Sequence, residues 1–343
     1  MLYATTRNNR DVCTAHHTLK ESRGADGGLY VPFRDPEFTR EEIQDLTHLR
    51  FNDCVAKVLN TLFQTTITGW DVDFCVGRNP VRLDRLSQKI LLGECWHTPG
   101  GTFREMTQAL TGLLNPEHKN APFGSWVEIA LRVAVLFGIY GELSRNHMAS
   151  PENPFDVSVV SGDFSAPISA WYARKWGLPV GNIVCCCNEN GNLWNLICHG
   201  QLRTDGVAVS TDTPEADVVI PEQLERLVCA ACGEETVESY LHCVRTGSTW
   251  YLDEPYLSEL RQGLYVTVVG NHRMRDTIVS FFGTNRAVLS PYGALACGGL
   301  QDYRSRTGES RWGLVLSERS PECDAEVVAN ALGIPVDRVS KYI

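Results

Sequence analysis

The chain has 343 residues, 43% of them hydrophobic and 21% charged, which is the profile of a globular protein with room for two packed domains. Its formal net charge is −10 with the basic residues scattered, so neither nucleic acid nor an anionic membrane surface is expected as a partner. Thirteen cysteines, an odd number that includes the run Cys185-Cys186-Cys187, do not read as a secreted disulfide framework and point to reduced thiols in a reducing compartment.

The opening from Met1 to His17 lacks the apolar core of a secretory signal and reads as a mature N-terminus, so a cytoplasmic location is expected. Thr39 stands three residues before Glu42, the spacing of a capping box, and predicts a helix start. From Asn52, the residues Val55, Val58, Leu59, Leu62 and Phe63 recur on one face at helical spacing, and the stripe is core. Lys89 to Cys95 reads as a short strand. The turn from Trp96 to Gly101 holds His97, and a helix is predicted from about Thr102 to Leu114. Residues 115–124 are polar with two prolines and read as a surface connector. The most apolar stretch, Trp126 to Leu143, is interrupted by Glu128 and Arg132, which makes it a buried helix and not a membrane span.

The clearest local unit runs from Asp156 to Asn188. A short strand leads into the turn Ser161 to Ala166, a helix opens with Pro167 in its first turn and ends before Gly177, and a second strand contains the three cysteines. That continuous apolar run is what a buried parallel strand shows, and the cysteines are read as packing. Further strands are predicted at 264–269 and 312–317, and helices at 221–232, 273–282, 291–304 and 322–332. Helices alternating with strands mean an α/β fold. Cys229 and Cys232, followed by His242 and Cys243, have the spacing of a zinc half-site, but Leu224, Leu227, Val228 and Ala231 make a helical stripe through the pair. No metal site is therefore expected. His16, His17 and His118 have no partners at ligand spacing and read as solvent-facing.

Three separated stretches resemble the threonine synthase family, in the family's order. Gly24-Ala25-Asp26-Gly27-Gly28-Leu29-Tyr30-Val31-Pro32 is similar to its N-terminal stretch. Glu94 to Glu105 is similar to the segment that runs through an aromatic-His-Gly-Pro-Thr stretch to Phe-Lys-Asp. Ser161-Gly162-Asp163-Phe164-Ser165 resembles the family's Ser-Gly-Asn-Phe-Gly loop, and Gly177-Leu178-Pro179 and Asn188-Glu189-Asn190 resemble its Gly-Leu-Pro and Asn-x-Asn. Later, Leu289 to Ala294 resembles Leu-Asp-Pro-His-Thr-Ala, and Ser317 lies near the residue that faces the cofactor's pyridine nitrogen.

The resemblance implies a fold type II pyridoxal-phosphate architecture, like that of the tryptophan synthase β subunit. Residues 1–88 would be an N-terminal helical segment, and 89–343 a large α/β domain with a mostly parallel sheet. It implies that Ser161, Gly162, Asp163, Phe164, Ser165 and Ala166 form the turn whose amides hold the cofactor phosphate, with Ser317 at the ring and His97 and Arg104 in the cleft. The chain departs from the family in three places. Arg104 stands where the family's lysine forms the Schiff base, and a guanidinium is essentially never deprotonated. Asp163 and Ser165 replace a neutral amide and a glycine. Only Met106 to Gly124 separates Arg104-Glu105 from the next matching segment, where the family carries a small domain with a substrate loop; one βαβ unit alone needs about thirty residues. The expectation is a pseudoenzyme without covalent pyridoxal phosphate, with Arg104 and the 161–166 turn contacting a small anionic ligand or a protein partner. The alternative is a pyridoxal-phosphate-dependent lyase with altered chemistry, the cofactor bound noncovalently or reached by Lys89 or Lys175.

Overall fold

The computed structural model describes residues 1–87, 89–98, 100–117 and 121–343. Among them no helix is long and apolar enough to cross a membrane. The chain opens with strands β1 (Leu2–Thr5) and β2 (Asn8–Thr14), the short helix α1 (Ala15–Thr18) and strand β3 (Tyr30–Pro32). These strands form an antiparallel sheet in the order β2-β1-β3. Tyr3 fastens the sheet to the helices beneath it by donating its hydroxyl to the Leu62 carbonyl at 2.6 Å. Helix α2 (Arg40–Leu46) starts at Thr39 with the expected reciprocal capping box to Glu42. The predicted apolar stripe of α3 (Phe51–Phe63) is buried from Val55 to Phe63. Helix α4 (Gly69–Val76) follows, capped by Thr68 and Asp71.

Residues 1–88 thus hold a sheet as well as helices, a difference from the helical segment expected. The strands of this small sheet are short and lack strict alternation, which leaves little periodic signal. Strand β4 (Arg82–Ser87) pairs antiparallel with β5 (Ile90–Glu94) at the edge of the main sheet.

Helix α5 (Phe103–Leu114) begins at Thr102, whose side chain and Glu105 form a second capping box. Residues 115–125 then lead to α6 (Trp126–Arg145), and the described residues between the two helices form no strand; His118 and two neighbours of the connector lie outside the described residues. Helix α6 is buried nearly all round because α3 packs on one side of it and α7 on another. Gly138 permits the approach of α3: a Cβ there would stand 2.8 Å from the Phe51 ring. The predicted unit is present as β6 (Phe155–Val160), α7 (Ser165–Lys175) and β7 (Val180–Cys187).

Beyond it come α8 (Asn192–His199), β8 (Gln201–Leu202), α9 (Leu224–Cys232), α10 (Glu234–Thr246), β9 (Trp250–Tyr251) and α11 (Glu254–Arg261). The chain then returns to the sheet with β10 (Leu264–Val268), α12 (Asn271–Asn285), α13 (Pro291–Thr307), β11 (Gly313–Ser317) and α14 (Ala325–Leu332). The main sheet has the order β10-β7-β6-β11-β5-β4, parallel throughout except at β4. Its central strands are buried on both faces, which is why they read as unbroken apolar runs. The three cysteines show the period of two directly: Cys185 and Cys187 enter the core shared with α6 and α7, while Cys186 enters the core under α13.

At the opposite edge of the strands from their carboxyl ends, the Asp156 carboxylate is fully buried and accepts from the Asn182 amide at 2.8 Å and from Arg311 Nε at 3.0 Å. Burial raises its pKa, and the Asn182 hydrogen bond and Arg311 oppose that shift. A carboxyl whose folded pKa lies above its unfolded one costs stability while ionised, and the cost recedes as pH falls through the folded value. Arg311→Met leaves this charge unpaired and is expected to cost about 3–5 kcal/mol at neutral pH. Urea unfolding should show the loss shrinking as the pH is lowered into the acid range, and a pH-independent loss would exclude the charge as its cause.

Candidate functional site

Parallel strands present their carboxyl ends to a common crevice, where helix N-termini and loops supply the ligand contacts. Here that crevice is a cavity of about 380 Å³. The head of α5 contributes Arg104, α6 contributes Glu128 and Arg132, and the loop after β6 contributes Ser161, Gly162 and Asp163, with Ala166 from α7. The segment after β11 supplies Glu318 and Arg319, and Glu215 and Tyr292 stand at the other side.

Charge dominates this lining. Arg132 donates Nε and Nη2 to the two oxygens of Glu318, each at 2.8 Å, and Nη1 to Glu128 at 3.0 Å. Its guanidinium also lies 4.6 Å from the centre of the Phe103 ring. Burial pulls the Arg132 pKa down, but Glu318 and Glu128 outweigh it and hold the group above its ordinary value. Bidentate pairing of this kind is the strong form of an arginine–carboxylate contact. Arg319 bonds Asp324 and Glu215, both at 2.8 Å, and Tyr292 accepts from the Glu215 amide at 3.2 Å. Arg104 is exposed, stands 5.8 Å from the exposed Phe123 ring, and makes no ion pair among the described residues.

The turn before α7 has the backbone layout of an anion site, but its own side chain uses it. Asp163 accepts from the Ser165 amide at 2.9 Å and from the Ser165 hydroxyl at 2.6 Å. Burial raises the Asp163 pKa, opposed by the nearby Arg132 charge and by the Ser165 contacts. Phe164 is buried and takes a left-handed conformation at φ 74°, an uncommon state for a bulky residue, and its amide donates to the Ser161 carbonyl at 2.6 Å. The loop is therefore a tightly held turn whose carboxylate points back at the helix.

The structure brings Arg104, Ser161, Gly162, Asp163 and Ala166 together around the cavity. Phe164 and Ser165 are buried behind it. His97 and Ser317 do not line it. His97 lies against Trp96 and is 3.0 Å from Glu94 Oε2, because the turn carries it toward the end of β5. Ser317 is buried 3.5 Å from the Ser290 hydroxyl, facing the capped start of α13. Lys89 donates to the Ser310 carbonyl and Lys175 pairs with Asp35, both at 2.9 Å, so each is engaged away from the cavity. Cys229 and Cys232 lie on α9 as partly buried free thiols, and among the described residues no cluster of three or more metal-ligating side chains occurs.

Sequence reasoning missed Glu128, Arg132, Glu215, Glu318, Arg319 and Tyr292 as cavity residues. A signal existed for the first pair: a Glu and an Arg four apart inside an otherwise apolar helix need each other or a cavity. Glu318-Arg319 directly after an apolar strand is a weaker signal of the same kind.

Residues 2–78 match the family described as Threonine synthase N terminus. Threonine synthase-like 1 of Homo sapiens is 24% identical over 195 residues, 54% of this chain and 26% of its own length. Threonine synthase of Saccharomyces cerevisiae is 23% identical over 255 residues, 68% of this chain and 49% of its own length. The chain thus spans about a quarter of the first relative and half of the second. Among solved structures, pyridoxal-phosphate-bound threonine synthase from Brucella melitensis has a TM-score of 0.86 at 17% identity, covering 97% of this chain and 92% of that one. Yeast threonine synthase has a TM-score of 0.84 at 15% identity, covering 99% and 94%. The fold is that of these threonine synthases, and residues 2–78 match the N-terminal segment of the same family.

Proposed function

We propose that this chain is a threonine-synthase-like pseudoenzyme that carries no covalently bound pyridoxal phosphate and uses its cleft to hold a small ligand or a protein partner. The observation that supports this most is Arg104. It stands at the head of α5, on the cavity wall, in the position that the sequence resemblance assigns to the Schiff-base lysine. Bound pyridoxal phosphate supplies an electron sink to an amine substrate, and the protein must supply a lysine that exchanges with that substrate and then moves its protons. A guanidinium does neither. No lysine lines the cavity among the described residues, so the groups present do not fit a covalently held cofactor.

Two further features support the reading. The described residues between α5 and α6 form no strand, which supports the absence there of a separate small domain with a substrate loop, and without one the cleft would lack the closing motion that keeps water from reactive intermediates. Lys89 and Lys175, the candidates for a displaced Schiff base, are engaged elsewhere, which supports the same reading. Of the two anion contacts expected from the sequence, Arg104 remains available, whereas the 161–166 turn is occupied by Asp163. The acidic composition and free cysteines support a cytoplasmic location, with neither nucleic acid nor membrane as partner.

Purified protein incubated with pyridoxal phosphate and reduced with borohydride is expected to yield no pyridoxyl-lysine peptide on mass mapping, and no phosphate release from O-phosphohomoserine. A stoichiometric adduct on one lysine would overturn the proposal. Arg104→Lys returns an amine whose pKa a desolvating site can lower, and it is expected to give at most a weak absorbance change with added cofactor and no turnover. A rate of about 1 per second or more from this single change would show that the missing substrate loop is not needed.

A further inference from the structure

We infer that Asp163 is a resident anion that excludes phosphate and phosphate monoesters from the N-terminus of α7, so that the cleft takes ligands without a phosphate group. The inference rests on the proposal that the chain has left the family's cofactor chemistry, and it names the residue that sets what the cleft now accepts.

A helix N-terminus holds phosphate through unpaired amides and the positive end of its dipole. The first four amides of α7 belong to Ser165, Ala166, Pro167 and Ile168. Ser165 gives its N–H to Asp163. Pro167 has none. Ile168 donates to the Phe164 carbonyl at 3.1 Å. Within α7 only Ala166 is left without a partner among the described residues, and the Gly162 and Asp163 amides of the preceding turn are also unpaired, so what bars a phosphate here is the carboxylate's charge in the turn and its hold on the first helix amide.

The surroundings repel an anion as well. An incoming phosphate dianion would meet the Asp163 carboxylate within the same turn, and like charges at contact distance in a poorly solvated site are strongly unfavourable. Gly162 has a positive φ of 42°, and a Cβ built on it would lie 3.8 Å from the Glu215 carbonyl oxygen. The turn is therefore roofed by a further acceptor, not by a donor. The nearest cation, Arg132, is already saturated by Glu318 and Glu128, and Arg319 by Glu215 and Asp324.

Asp163 also gains what a bound anion would have gained. It is covalently tethered, so it loses no translational freedom on occupying the site, and it satisfies the helix's first amide itself. A free phosphate must displace it, and in doing so would strand the carboxylate beside Glu128.

The test is titration of the full chain with inorganic phosphate near neutral pH by calorimetry, which involves no aldehyde and so reads independently of any Schiff base. Wild type is expected to show no saturable binding at the cleft. Asp163→Asn and Asp163→Ser both keep an acceptor for the Ser165 amide while removing the charge, and each is expected to bind phosphate saturably, at least about tenfold more tightly than any residual wild-type binding, which corresponds to about 1.4 kcal/mol of like-charge repulsion removed. Two substitutions of different volume guard against a folding defect in either one, and thermal unfolding checks each. Pro167→Ala restores an amide but keeps the charge, and it is expected to gain much less. The inference is overturned if wild type already binds phosphate as tightly as the Asp163 variants, if neither variant gains, or if Pro167→Ala alone gives the larger gain.

Discussion

The guanidinium of Arg132 holds four elements to one point. It sits on α6, grips both oxygens of Glu318 beyond β11, lies on the Phe103 ring at the head of α5, and faces Asp163 before α7. Taking such a charge out of water is expensive unless its geometry is fully satisfied, so the two carboxylates that surround it are a condition of its burial. Their arrangement then fixes the rest of the cleft. Glu128 reaches back to the Gly124 amide at 3.0 Å, so the end of the connector is tied to the same cluster.

Around this centre the cleft differs from an anion-binding crevice in sign. Its acids Glu128, Asp163, Glu215 and Glu318 face the bases Arg104, Arg132 and Arg319, and two of those bases are shared between carboxylates. Arg104 is the cation left over, beside an exposed aromatic ring. Any ligand that enters is therefore met by one accessible positive group at the mouth and by a compensated, slightly acidic floor. Fold and polar lining are separable because the sheet, α6 and the βαβ unit rest on apolar packing that the charged cleft residues do not supply.

The main sheet and its helices were legible in the sequence because their signals are local: the capping box at Thr39, the stripe of α3, and the unbroken apolar run of β7. The antiparallel β1-β2-β3 sheet was not legible, because Arg10, Asp11 and Val12 in β2 are exposed and leave no alternation to read. Within the site, Arg104 and the 161–166 turn sit at helix starts that the pattern already marked. His97 and Ser317 were placed in the cleft, although one turns toward Glu94 and the other toward Ser290. Adjacent positions at a strand end point to opposite faces, and Leu316 and Glu318 line the cavity while Ser317 between them does not.

The asparagines after β7 show how a family-like motif can serve the fold of this chain. Asn188 donates to Thr211, Thr213 and Asp217, and Asn190 exchanges hydrogen bonds with Val209 and donates to Asp217. These contacts fasten an irregular loop whose backbone groups would otherwise be unsatisfied, and the loop in turn carries Glu215 to the mouth of the cavity. There Glu215 binds Arg319 and Tyr292, closing the cleft on the side opposite Arg104. A residue pair retained for such fastening is indistinguishable, in sequence, from one retained for catalysis. What separates the two is the direction of the side chains, and here those of Asn188 and Asn190 are spent on the loop and not on the cavity.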